Sequence, residues 1–131
     1  MSNKRIMIVD AHNQFMRSYI VNPTMTSHGE PVGGTVGFLQ IMNKLCSEIK
    51  PDLFVVVWDG EGGSQKRRST NKNYKAGRKP PRINAKSKPR LNRWVNTMSE
   101  SQQADNRMWQ QVRSMEYLNQ TPIIQFRVPN I

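Results

Sequence analysis

Two aspartates stand where carboxylates can do chemistry. Asp10 closes the apolar run Ile6-Met7-Ile8-Val9, and Asp59 closes Leu53-Phe54-Val55-Val56-Val57-Trp58. Short continuous apolar runs of this kind predict buried strands. Carboxylate oxygens suit hard divalent cations, Mg²⁺ or Mn²⁺, and not soft metals. An aspartate directly after a strand has a second use, because its side chain can cap the following helix. Either residue alone favours the cap. The pair at equivalent strand ends, beside a strongly basic segment, favours a metal.

The intervening elements decide whether the two carboxylates meet. Phe15, Met16, Tyr19 and Ile20 follow Asp10 at helical spacing, and a loop rich in Gly and Pro runs from about Asn22 to Gly34. Phe38, Leu39, Met42, Leu45, Cys46 and Ile49 predict an amphipathic helix that Pro51 ends. Strand, helix, strand predicts two parallel strands with a right-handed crossover. Ligands of open α/β sheets lie outside the carboxyl ends of the strands, so both aspartates are expected on one edge. Neighbouring strands would set them about 5 Å apart laterally, next-nearest strands about 10 Å. Farther on, Thr97-Met98-Ser99-Glu100 matches a capping box, and Met108, Val112, Met115 and Leu118 mark one helical face. Pro122–Val128 reads as a third strand. The expected class is α/β, with a three-stranded, mainly parallel sheet and helices.

Charge narrows the partner. The 131 residues carry a net charge of +11 and only 36% apolar side chains, enough for one small domain with a modest core. A domain this basic meets a polyanion, with nucleic acid the default; a surface that serves solubility alone is the alternative. No basic amphipathic helix and no long apolar run points to a membrane. No signal peptide is visible, and the single cysteine, Cys46, permits no intrachain disulfide and reads as a small core residue. A reducing cytoplasm is the expected setting.

The basic residues are concentrated. Lys66 to Arg93 holds 12 of the 20 Lys and Arg, and residues 62–99 contain no Asp or Glu. With few aliphatics and several Gly and Pro, this stretch is expected to form no core and to be mobile without a ligand. Within it, Tyr74-Lys75-x-x-Arg78-Lys79-Pro80 sets an aromatic among cations. An aromatic ring can stack on an unpaired base while Lys and Arg hold its phosphates.

The order of these pieces resembles the opening of bacterial and phage 5′-nucleases, the 5′-3′ exonuclease/flap endonuclease family. Ile8-Val9-Asp10 with Arg17 seven residues later is similar to that opening. So are Gly29-Glu30-Pro31, Gly33 and Gly37-Phe38-Leu39, and Lys50-Pro51-Asp52 before Val55-Val56-Val57-Trp58-Asp59. Lys66-Arg67-Arg68 and Tyr74–Pro80 look like the start of the family's helical arch. The resemblance covers residues 4–80 closely and 97–131 by element order. It implies a PIN-like fold for residues 1–131, a single partial N-terminal domain with 62–99 as a basic arch insertion. It also implies that Asp10 and Asp59 are metal ligands, and that Arg17, Lys75 and Arg78 contact phosphates near the scissile bond. Tyr74 would orient the unpaired 5′ end. Lys66 or Arg67 would fill an arginine position after the second aspartate, and Arg68, Lys72 and Lys79 would add backbone contacts. Ala11 departs from the family's usual Gly, and Gly62-Gly63 sits in a loop of altered length.

The resemblance implies phosphodiester hydrolysis with two Mg²⁺ or Mn²⁺ ions. It also implies a Glu-Ala-Asp-Asp motif shortly after the third strand, and the sequence ends at Val128-Pro129-Asn130-Ile131. Two divalent ions bring four positive charges against the two negative charges of Asp10 and Asp59. Glu61 is the one further carboxylate near at hand in sequence; Glu100 and Glu116 have no evident route to the site. Weak metal binding and weak or absent cleavage are therefore expected of these residues alone. A second polypeptide with the remaining carboxylates would complete them. Expected substrates are DNA with a 5′ flap, a single-stranded 5′ end or an RNA primer, in a bacterial cell or phage-infected host. The alternatives are a non-catalytic DNA-binding module derived from the same family and a basic RNA-associated α/β protein.

Overall fold

The computed structural model describes residues 3–59 and 98–128. Strand β1 (Ile6–Asp10) leads into helix α1 (Ala11–Val21), then helix α2 (Gly33–Ile49) and strand β2 (Leu53–Asp59). Helix α3 (Glu100–Leu118) and strand β3 (Ile124–Val128) follow. The sheet order is β1-β2-β3, and both pairings are parallel. The expected α/β class and parallel βαβ unit are therefore present. The arch segment lies outside the described residues, save Met98 and Ser99, and with it Lys66, Arg67, Arg68, Lys72, Tyr74, Lys75, Arg78 and Lys79.

All three described helices pack on one face of the sheet. Val9, Phe54, Val56 and Trp58 point into that layer and meet Phe15 and Tyr19 of α1, Phe38 and Met42 of α2, and Leu118 of α3. Trp58 is the hub, with ring centroids 5.2 Å from Phe38 and 6.5 Å from Phe15. Its indole Nε1 donates to Gln125 Oε1 at 2.9 Å, and Gln125 Nε2 donates to the Met115 carbonyl at 2.9 Å. A buried indole thus has its polar partner, and that partner ties β3 to both β2 and α3. At the other end of the sheet, the Arg5 amide donates to Asp52 Oδ2 at 2.7 Å, fixing the starts of β1 and β2 together. Cys46 is half-buried and packs against the core.

The helix ends follow local chemistry. Lys50, the C-cap of α2, takes the left-handed conformation (φ 51°) and donates its N–H to the Cys46 carbonyl at 3.0 Å. The right-handed helical region is disfavoured there because Pro51 follows. Gly33 opens α2 against the end of α1, where a Cβ would run into the Asn22 carbonyl.

Four expectations need correction. Ile6–Val9 is buried on one side only, since Ile6 and Ile8 face away from the helices and are exposed. The capping box sits two residues later than expected: Ser99 is the N-cap, its Oγ accepts from the Gln102 amide, and Gln102 Oε1 accepts from the Ser99 amide. The third strand starts at Ile124 rather than Pro122, with Ile123 packed against the core. Finally, α3 turns Gln103, Gln110, Ser114 and Leu118 inward and leaves Met108 62% exposed and Val112 43% exposed.

The inward face of α3 is polar because it meets the amino end of α2. There the Thr35 amide and hydroxyl donate to Gln110 Oε1 (3.1 Å) and to the Gln110 carbonyl (2.7 Å). Ser114 Oγ lies 3.2 Å from Thr35 Oγ1. Buried polar groups are tolerated when paired in this way. Tyr19 completes the contact of α1 with α3, its hydroxyl donating to the Gln103 carbonyl at 3.2 Å beneath the Arg107 guanidinium.

Gly33→Ala is expected to lower stability by about 2 kcal/mol, because the obstacle is backbone that cannot swing aside; thermal unfolding measures it. Burial raises the Tyr19 phenol above its usual value of 10.0, against an opposing pull from Arg107. The unfolded chain therefore loses this proton first as pH rises, and the native state holds it longer. Stability should fall as pH climbs above about 10 towards the folded-state value. Tyr19→Phe should flatten that fall in urea titrations.

Candidate active site

The parallel register brings the two aspartates together. Asp10 pairs with Val57, and Asp59 lies two residues farther along the neighbouring strand, opposite Val128. Paired residues share a face, and so do residues two apart, so Asp10 and Asp59 project to the same side of the sheet at its carboxyl end. Two residues of rise and one strand spacing separate their Cα atoms by about 8 Å. Two aspartate side chains can reach one Mg²⁺ across such a gap, at about 2 Å from each oxygen.

Asp10 also caps α1. Its Oδ1 accepts from the Asn13 amide at 3.0 Å, which satisfies one of the helix's free donors and leaves Oδ2 available. The cap and the metal ligand are thus compatible roles, since the hydrogen bond holds the carboxylate in place. Asp59 is exposed, and its side chain makes no hydrogen bond or ion pair among the described residues. Two exposed carboxylates without a cationic partner form a donor set suited to a hard divalent ion. Among the described residues no group of three or more His, Cys, Asp or Glu converges to hold a metal.

Arg17 is exposed on α1, seven residues after Asp10 and so on the same side of the helix. It stands about 10 Å along the axis, with no ion pair among the described residues. A guanidinium so placed can meet a phosphate next to a metal-bound one. The register thus brings Asp10 and Asp59 together, Arg17 lies on α1 in the helical layer, and residues 60–97 with their Lys, Arg and Tyr74 lie outside the described part.

One residue escaped the sequence reading. His12 follows Asp10 by two positions, and its Nδ1 is buried without a hydrogen-bond partner among the described residues. An unpaired buried nitrogen is uncommon and calls for a partner from outside the described chain. Its one sequence signal was nearness to Asp10.

An open parallel sheet with two carboxylates at its carboxyl end is consistent with a resolvase-like α/β domain. The chain belongs to the 5′-3′ exonuclease N-terminal resolvase-like domain family, whose model matches residues 5–116. It is similar to DNA polymerase I of Caldicellulosiruptor bescii, 31% identical over 77 residues, which is 58% of this chain and 9% of that protein. It is likewise similar to the thermostable DNA polymerase I of Thermus filiformis and of Thermus thermophilus. Each is 36% identical over 77 residues, covering 59% and 58% of this chain and 9% of the relative. The matched stretch thus spans under a tenth of the length of these relatives. No solved structure matches the chain significantly.

The double role of Asp10 can be separated. Asparagine caps a helix about as well as aspartate, whereas alanine costs about 1 kcal/mol. Asp10→Asn should therefore leave the melting temperature near wild type and Asp10→Ala should lower it, while both weaken Mn²⁺ binding measured by calorimetry. A loss of stability in Asp10→Asn equal to that in Asp10→Ala would contradict the cap.

Proposed function

We propose that this chain is the substrate-gripping part of a divalent-metal-dependent 5′-3′ exonuclease/flap endonuclease that acts on DNA. The observation carrying this reading is the common side and common end of Asp10 and Asp59, with 12 of the 20 basic residues following between Lys66 and Arg93. Asp10 and Asp59 hold Mg²⁺ or Mn²⁺. When bound, the ions supply charge neutralisation at the scissile phosphate and an activated water. Arg17, Lys75 and Arg78 clamp the flanking phosphates. Tyr74 stacks on the unpaired 5′ base, and Lys66, Arg67, Arg68, Lys72 and Lys79 track the backbone. Family membership and the three polymerase relatives support DNA as the polymer. A bacterial or phage-infected cytoplasm fits both, and no described helix is long and apolar enough to cross a membrane.

Charge balance sets the limit on activity. Two carboxylates leave two divalent ions under-neutralised, and nearby Lys and Arg add repulsion. Mg²⁺ sheds water reluctantly and is held by one or two carboxylates only with help from substrate phosphates. Efficient cleavage therefore requires further carboxylates from a second polypeptide segment. The 12 basic residues between Lys66 and Arg93 also fit one other reading, a module that grips branched DNA without cutting.

Mg²⁺-dependent release of product from a 5′-flap DNA is expected to be weak for residues 1–131 alone. It should rise when a polypeptide carrying a Glu-Ala-Asp-Asp segment of a relative's nuclease domain is added. It should disappear in Asp59→Asn. No gain on mixing, with flap binding that persists in Asp59→Asn and weakens steeply with salt, would favour the binding module.

A further inference from the structure

Strand β3 carries a single charge, Arg127, next to its last residue and so at the carboxyl edge of the sheet. The side chain is exposed and makes no hydrogen bond or ion pair among the described residues. Gln125, two residues earlier on the same face, contrasts with it. Its amide is spent on Trp58, Met115 and Asn119. The register fixes where Arg127 emerges. It pairs with Trp58, while Val128 pairs with Asp59. Trp58 points into the helical layer, so Arg127 leaves the sheet on that side and Asp10 and Asp59 on the other. One strand spacing and one residue of rise set the Cα atoms of Asp59 and Arg127 about 6 Å apart. Carboxylates and guanidinium thus flank one short length of edge from its two faces.

We propose that Arg127 holds the backbone phosphate next to the one engaged by the ion of Asp10 and Asp59, so that the DNA strand crosses the carboxyl edge from the carboxylate face to the helical face. The inference rests on the nuclease reading for the identity of the polymer and the ion, and it adds a contact and a direction of crossing. Ligands of open α/β sheets lie outside the carboxyl ends of the strands, where a long side chain from either face can reach them. The planar guanidinium fork matches two phosphate oxygens at once.

The one-residue offset matters. At position 128 an arginine would stand directly beside Asp59 on the same face and neutralise it. At 127 the opposite faces keep the charges apart, which leaves the carboxylates to a cation and the guanidinium to an anion. The competing use of such a residue is to protect an edge, since β3 is an edge strand among the described residues and a charge there discourages pairing with another chain. Edge protection asks for a charge and nothing more. It predicts self-association, with DNA binding intact, when the charge is removed.

The test uses the full 131-residue chain and a 5′-flap DNA. Fluorescence anisotropy measures binding with Ca²⁺ in place of Mg²⁺, so that it is read apart from cleavage. A set of flaps carries one uncharged methylphosphonate linkage at each position around the junction in turn. Arg127→Gln should bind the unmodified flap about tenfold more weakly, at an unchanged melting temperature. Its slope of log Kd against log salt should be shallower by about one. Wild type should lose a similar factor at one linkage, and Arg127→Gln should lose nothing further there. Arg127→Lys, a point charge without the fork, should keep part of the affinity. Unchanged binding and slope in Arg127→Gln would overturn the proposal, whether or not that variant self-associates. So would a variant that still loses affinity at every linkage to which wild type is sensitive. Flap cleavage that depends on Asp59, with no linkage coupled to Arg127, would remove this contact and leave the nuclease reading standing. A coupled linkage without cleavage in any mixture would do the reverse.

Discussion

The parallel register of β1 on β2 is the constraint from which the rest follows. It is fixed at one end by the Arg5–Asp52 contact and at the other by Trp58, whose ring fills the centre of the helical layer and whose Nε1 is held by Gln125. A slip of one residue in β2 would swing Trp58 to the bare face and carry Asp59 under the helices. Burying an unpaired carboxylate there would cost several kcal/mol. The same side-chain alternation that builds the core therefore delivers both aspartates to one side of the carboxyl edge. Core and candidate site are two consequences of one pairing.

The one-sided architecture also sets what the domain leaves open. The three described helices lie on the Trp58 side, so the described core is an interface between a sheet and a helical layer. Within that layer α3 is held as much by hydrogen bonds from Thr35, Gln110 and Ser114 as by apolar contact. Polar networks of this type fix orientation more than they add stability. They hold α3, the element that follows residues 60–97, at the amino end of α2. The opposite face keeps its apolar residues uncovered and its free edge at β1 unpaired among the described residues.

Much of this was legible in the sequence where a residue type had one dominant physical use. The runs ending in Asp10 and Asp59, the helix from Phe38 to Ile49 and its stop before Pro51 follow from hydrophobic period and from proline geometry. The strand order was not legible, since adjacent and next-nearest strands both allowed a shared ion; the pairing of β1 with β2 settles it. Burial was less legible. Ile6 and Ile8 have the composition of a strand covered on both faces, and only the placement of the helices, a tertiary fact, reveals one face as bare. The inward face of α3 was hidden because Gln110 and Ser114 read as surface residues until Thr35 is opposite them, while Met108 and Val112 read as core. Asp10 carried two meanings at once, cap and ligand, and the structure shows the first, with Oδ1 accepting from the Asn13 amide. His12 gave no pattern to find, since a single histidine on a helix has no periodicity.

The central claim is that Asp10 and Asp59 share a divalent ion at the carboxyl edge of the sheet. Paramagnetic relaxation by Mn²⁺ in isotope-labelled chain tests it most directly, because it reports even weak occupancy by position. The account predicts line broadening centred on the amides of Asp10, Ala11 and Asp59, falling away towards Arg5 and Leu53, and abolished by Asp59→Asn. Broadening centred elsewhere, or unchanged in Asp59→Asn, would contradict it.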